Sequence, residues 1–166
     1  MIKLDAIDLK ILAALQNEGR MTKVKLAEMV GLSVSPCWER LRRLERQGVI
    51  SGYKAEINLD KLMKTATVWV EIALKHHQRE DFEVFEGKIA KIPEILECWA
   101  IGGTIDYLMR VLTTDLDAYQ ELMERLLAAD IGIDRYITCA VTKRVKKPGQ
   151  LPLESLTRDT DKSASS

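Results

Sequence analysis

The stretch L-A-E-M-V-G-L-S-V-S-P-C-W-E-R-L-R-R-L-E-R-Q-G, residues 26–48, constrains the fold more than any other part of the chain. Thr22 is a favoured N-cap for a short helix over residues 23–30, and Gly31 suits the left-handed position that ends one. Ser35 followed by Pro36 predicts the start of the next helix, since serine caps well and proline is at home in the first turn. Gly48 closes it. Two short helices joined by a glycine-containing turn, the second of them basic, have the sequence form of a helix-turn-helix. Ahead of them, Leu4, Ile7, Ile11, Ala14 and Leu15 recur at helical spacing behind Asp5 and Asp8, and Gly19 ends that run.

Residues 33–50 crowd Arg40, Arg42, Arg43 and Arg46 into two turns of helix. At about 100° per residue, Val34, Cys37, Leu41 and Leu44 share one face. Ser35, Glu39, Arg42, Arg43 and Arg46 fall opposite, with Trp38 and Arg40 on the flanks. An apolar stripe that seats the helix and long donors that face away suit a helix reading the major groove. The alternative is a solvated helix with internal pairs such as Glu39 with Arg43 at i,i+4. The preceding helix, turn and cap favour DNA. The candidate DNA contacts are Lys23, Lys25, Ser33, Ser35, Pro36, Trp38, Glu39, Arg40, Arg42, Arg43, Arg46 and Lys54. Lys54 enters because Val49-Ile50 and residues 53–57 read as short extended pieces that would make a wing.

Charge agrees with a divided chain. The 166 residues are neutral overall, with 25 Lys+Arg against 25 Asp+Glu, yet residues 1–57 carry net +3, 58–130 net −6 and 131–166 net +3. Segregation of this kind is expected of domains with different partners. The expected divisions are 1–60, 61–147 and a flexible polar tail over 148–166. No signal-like or membrane-spanning run is legible, and Cys37, Cys98 and Cys139 form no C-x-x-C pair, so the expectation is a soluble, cytoplasmic protein with no membrane partner.

The second half alternates strand and helix periods. Residues 65–75, 94–101, 105–113 and 135–145 read as strands, and 79–92 and 115–128 as helices, which gives the order βαββαβ of a ferredoxin-like split unit. The class is α+β. That fold covers one sheet face with helices, yet here the strands are apolar on both. Val68, Val70 and Ile72 alternate with Trp69 and Ala73; Tyr107, Met109 and Val111 alternate with Leu108 and Leu112. A second apolar face needs a cover, and the cheapest is the same face of a second copy.

The L-D-A-I-D-L-K-I-L-A-A-L-Q opening, the residue 26–50 block, the G-Y-K-A-E-I-N linker and the W-A-I-G-G-T-I-D-Y-L-M-R-V segment together resemble the Lrp/AsnC (feast/famine) transcriptional regulators. The resemblance runs from about Leu4 to Val145. It implies a winged helix-turn-helix on double-stranded DNA, followed by an ACT-like (RAM) domain that binds an amino acid or its derivative. It also implies a prokaryotic homodimer that often assembles to a tetramer or octamer, and control of genes for metabolism or uptake of the effector. Ser35, Glu39, Arg40, Arg42 and Arg43 match the family's DNA-reading region. Its effector loop corresponds to Gly102, Gly103, Thr104, Ile105, Asp106 and Tyr107, with Gly102 in place of the usual threonine and Thr104 where an acidic residue is frequent. Physically, the glycines let backbone N–H groups approach a carboxylate, and Asp106 is able to accept an ammonium. The alternative is a tight hairpin in which Asp106 satisfies its own backbone. Thr138 on the last strand is a further candidate.

No cofactor, metal site or enzyme is expected. His76 and His77 are adjacent and would point to opposite sides of a strand, and no nucleophile motif, P-loop or dinucleotide fingerprint is present. The competing readings are a stand-alone metabolite-sensing module, a DNA-architectural protein without a specific operator, and a small ferredoxin-like enzyme.

Overall fold

The computed structural model describes residues 2–153 and Ser155. The chain divides into two compact units, 1–56 with 146–166, and 57–145.

Three helices make the first unit: α1 (Ala6–Asn17), α2 (Lys23–Val30) and α3 (Val34–Arg46). Asp5 caps α1 by accepting the Ile7 and Asp8 amides, and Asp8 returns the bond from its side chain to the Asp5 amide, a reciprocal capping box. Thr22 caps α2 through the Lys25 amide, and Gly31 ends it at φ 73°. The cap of α3 is Ser33, not Ser35. Ser33 makes no side-chain cap bond, and the reason is local: Pro36 sits three residues on, where a capping hydroxyl would find its amide donor, and proline has none. The first helical bond instead runs from the Cys37 amide to the Ser33 carbonyl at 3.3 Å. At the other end the Gly48 and Val49 amides return to the Glu45 and Leu44 carbonyls, a Schellman closure that needs the φ of 71° at Gly48. Ile11, Leu26, Ala27, Val30, Cys37, Leu41 and Leu44 form the buried core. Val34, expected on that face, is 40% exposed.

Among the described residues no strand forms over 49–57: residues 51–57 carry no regular secondary structure and are exposed, and neither short piece finds a ladder partner in its own chain. The first part of the segment expected as a flexible tail over 148–166 meets the helical unit. Gln150 Nε2 donates to Asn17 Oδ1 at 3.3 Å, the Leu151 amide donates to Gln16 Oε1 at 2.6 Å, and Leu153 packs against the helical core. One apolar side chain and two bonds outweigh the polar composition that suggested disorder. Leu153→Asp is therefore expected to lower the stability of the helical unit by about 1 to 2 kcal/mol, part of a leucine's burial, as read by chemical denaturation. The rest of the expected tail, 156–166, lies outside the described residues.

The second unit is a four-stranded antiparallel sheet in the order β2-β3-β1-β4, with β1 (Ala66–Leu74), β2 (Ile95–Ala100), β3 (Tyr107–Thr113) and β4 (Ile133–Ala140). The order is that of the ferredoxin-like unit, with α4 (Arg79–Ile89) and α5 (Leu116–Ala128) as the crossovers. The strand bounds differ from the expected ones mainly in β4, which starts earlier and stops at Ala140. Val68, Val70, Ile72, Tyr107, Met109 and Val111 pack with Phe85, Ile89, Tyr119, Leu122, Met123 and Leu126 in one core, so both helices cover the same sheet face. The other face is mixed rather than wholly apolar. By register it carries Trp69, Leu108, Trp99, Ile137 and Cys139, but also Glu71 and the Arg110–Glu97 pair at 2.5 Å. Trp99 and Ile137 are more than half exposed.

Candidate nucleic-acid interface and sensing loop

The recognition helix does not use its four arginines alike. Asp8 of α1 is buried, with 1% of its side chain exposed, and its carboxylate accepts from Arg43 Nη2 at 2.5 Å and Arg40 Nη1 at 3.0 Å. Arg40 Nη1 also reaches Asp5 Oδ2 at 2.5 Å. The Glu39–Arg43 pair considered from sequence gives way to these ion pairs, and Arg43 turns toward α1 instead of standing opposite the buried stripe. The matched spacings D-x-x-D in α1 and R-x-x-R in α3 were the available signal. The Asp5 carboxyl is held below its ordinary value, first by the Asp8 amide and then by Arg40. Its folded-state value is depressed, so its contribution to stability is present above the ordinary aspartate pKa and is lost as pH falls through the folded one.

Arg42 and Arg46 remain outward and exposed, and with Glu39 and Glu45 they line a shallow surface cavity. Glu45 is engaged by Tyr53, whose hydroxyl donates to it at 2.9 Å. Burial and then Glu45 push the Tyr53 pKa up to about 12. Trp38 is half-buried between two cations, with Lys23 Nζ 3.5 Å and Arg42 Cζ 5.5 Å from its ring, so cation–π contacts link the Arg42 guanidinium, Trp38 and the start of α2. Ser33, Ser35, Pro36 and Lys54 are exposed, whereas Lys25 pairs with Glu18.

In the second unit, Gly102, Gly103 and Thr104 form an exposed turn between β2 and β3, with Gly103 at φ 147°. Asp106 behind it is already engaged. Its Oδ2 accepts the Leu74 amide at 2.7 Å, and His77 Nε2 lies 3.0 Å from its Oδ1. The backbone-satisfying role is thus real, and His77, which follows the end of β1, joins the loop rather than standing free. Its carboxylate is 17% exposed. Arg135 donates to the Thr104 carbonyl at 3.3 Å. Two candidates turn away from the loop. Tyr107 is in the core against Phe85, its hydroxyl donating to Glu86 at 2.8 Å, and its pKa is raised by burial and then by Glu86. Thr138 is on the helix side of β4, 2.6 Å from the Tyr119 hydroxyl. Strand parity explains both: each shares a face with Val70 and Met109.

No group of three or more His, Cys, Asp or Glu side chains placed to hold a metal occurs among the described residues, and no helix there is long and apolar enough to cross a membrane. Family models match both units: winged helix-turn-helix DNA-binding over 4–51, and the Lrp/AsnC ligand binding domain over 67–151. The chain belongs to the Lrp/AsnC family. It is a transcriptional regulator with a DNA-binding helix-turn-helix and a ligand-binding domain. Among Lrp/AsnC relatives, the transcriptional regulatory protein DoeX of Halomonas elongata is 54% identical over 89% of this chain and 93% of its own. The leucine-responsive regulatory protein of Escherichia coli K12 is 40% identical over 92% and 93%. A transcriptional regulator from Neisseria meningitidis, solved as an L-Met complex, superposes with a TM-score of 0.87 at 33% identity, covering 93% of this chain and 99% of that one.

Proposed function

We propose that this Lrp/AsnC regulator acts as a homodimer whose two α3 helices enter successive major grooves, and that an amino acid or amino-acid derivative bound at the sensing domain tunes operator affinity. The observation that carries the reading is the division of labour on α3: Arg40 and Arg43 are tied inward while Arg42 and Arg46 stay exposed. Arg42 and Arg46 read DNA, assisted by Ser35, Glu39 and the Trp38–Lys23 stack. The mixed outer sheet face, with Trp69, Trp99 and Leu108, is the dimer surface, and further association builds tetramers or octamers. The regulator works in a prokaryotic cytoplasm and controls genes for metabolism or uptake of its effector. It has no catalytic role.

Selection from random duplex DNA by the purified protein tests this. A near-palindrome with half-sites about one helical turn apart is the expected product. Recovery of unenriched sequences would favour the architectural reading.

The effector site is the 102–106 turn with Asp106. An effector ammonium meets Asp106 by displacing His77, and the coupling to DNA is about 1 to 3 kcal/mol. Asp106→Asn keeps an acceptor for the Leu74 amide but removes the charge. It is expected to abolish the effector's influence on operator affinity while the melting temperature and effector-free DNA binding stay near wild type. An unaltered effector response in Asp106→Asn would remove this carboxylate from the site.

A further inference from the structure

Arg40 stands on the flank of α3, between the buried stripe and the outward Arg42. A helix lying in the major groove presents its outer side to base edges and its flanks to the phosphate walls. The Arg40 head is shared by two carboxylates of different character. Asp8 is buried and also holds Arg43, so it anchors the helix; Asp5 is half-exposed at the water edge, 2.5 Å from Arg40 Nη1. Asp5 does not need its charge to cap α1, because an amide oxygen caps as well as a carboxylate. The charge has another consequence. It occupies the outer side of a guanidinium that is still 28% exposed, where a phosphate oxygen would make the same charge-assisted bond.

We infer that Asp5 is an intramolecular competitor for DNA phosphate at Arg40. On binding, Arg40 exchanges Asp5 for a backbone phosphate while keeping Asp8, so the anchor holds the helix and the outer carboxylate holds down sequence-independent affinity. Because phosphate contacts carry no base information, such a brake lowers affinity for operator and bulk DNA alike. The inference rests on α3 being the DNA-reading helix.

The test uses the full-length protein and two duplexes, the selected operator and a scrambled one, with affinity measured across a salt series. Asp5→Asn is expected to bind both duplexes about two- to fivefold more tightly per protomer, the range of an exposed ion pair, with a similar gain on each. Arg40→Gln is expected to lower the slope of log affinity against log salt by about one per protomer, the loss of one released counterion each. In Asp5→Asn combined with Arg40→Gln, the gain from Asp5→Asn disappears. Unchanged or weakened DNA binding in Asp5→Asn, or an unchanged slope in Arg40→Gln, overturns the inference and leaves Asp5 as a cap alone. Wild-type protein without salt-dependent affinity for either duplex would overturn the DNA-reading assignment of α3 itself, a distinct result.

Discussion

Phe85→Ala is expected to cost the sensing domain about 3 to 5 kcal/mol while the three N-terminal helices keep their amide protection. Phe85 is fully buried on α4 and stacks with Tyr107 of β3 at a ring separation of 4.5 Å. Alanine there removes the largest apolar side chain between helix layer and sheet, and it withdraws the surface against which Tyr107 is buried. The helical unit has its own core and shares none of these residues. A loss of this size is a large part of what a small domain has to spare. Hydrogen exchange followed by mass spectrometry distinguishes the outcomes: residues 66–140 should exchange faster while α1, α2 and α3 do not. Simultaneous loss of protection in both units would mean that they fold as one, contrary to the two separate cores.

Arg42→Ala is the substitution expected to damage DNA recognition most without damaging the fold. A base-edge contact is worth about 1 to 3 kcal/mol in each half-site, so a dimer carrying two copies loses about thirtyfold to about twenty-thousandfold in operator affinity. Stability should change little, because Arg42 is exposed and an exposed cation–π contact such as that of its guanidinium with Trp38, 5.5 Å from the ring centroid, is worth about 0.5 to 1 kcal/mol. Arg43→Ala should do the reverse. It withdraws one of the two guanidinium partners of buried Asp8, and a buried carboxylate that loses a partner destabilises its domain. Loss of operator binding in that variant should track loss of the folded helices.

The contrast shows where the sequence was informative. Helix positions in the first unit followed from Thr22, Gly31 and Gly48, because a hydroxyl cap and a positive φ are local demands of the chain. The start of α3 was misplaced by two residues because Ser33 and Ser35 are both competent caps. With Ser33 as the cap, Pro36 sits in the third helical position, whose amide has no intrahelical acceptor in any case. The inner sheet face was legible from the alternation of Val68, Val70 and Ile72. What periodicity could not tell was which outward-looking side chain would find a partner on another element. Arg43 and Arg42 are neighbours of the same type, and only the third dimension gives one of them to Asp8. The same holds at the loop, where sequence offered Asp106 an effector or its own hairpin backbone but the carboxylate accepts from Leu74, 32 residues away, and where Thr138 is claimed by Tyr119. The family model supports the winged class over 4–51, whereas the residues after Gly48 form no ladder within the single chain, because a ladder needs a neighbour that sequence pattern does not supply.

The central claim is that DNA is read by the exposed arginines of α3 while Arg43 belongs to the fold. The most direct measurement is the affinity of wild type, Arg42→Ala and Arg43→Ala for the selected operator and a scrambled duplex at one physiological salt concentration, with melting temperatures recorded alongside. Arg42→Ala is expected to melt like wild type and lose its preference for the operator, while Arg43→Ala melts lower. An Arg42→Ala protein that still prefers the operator by the wild-type ratio would contradict the central claim.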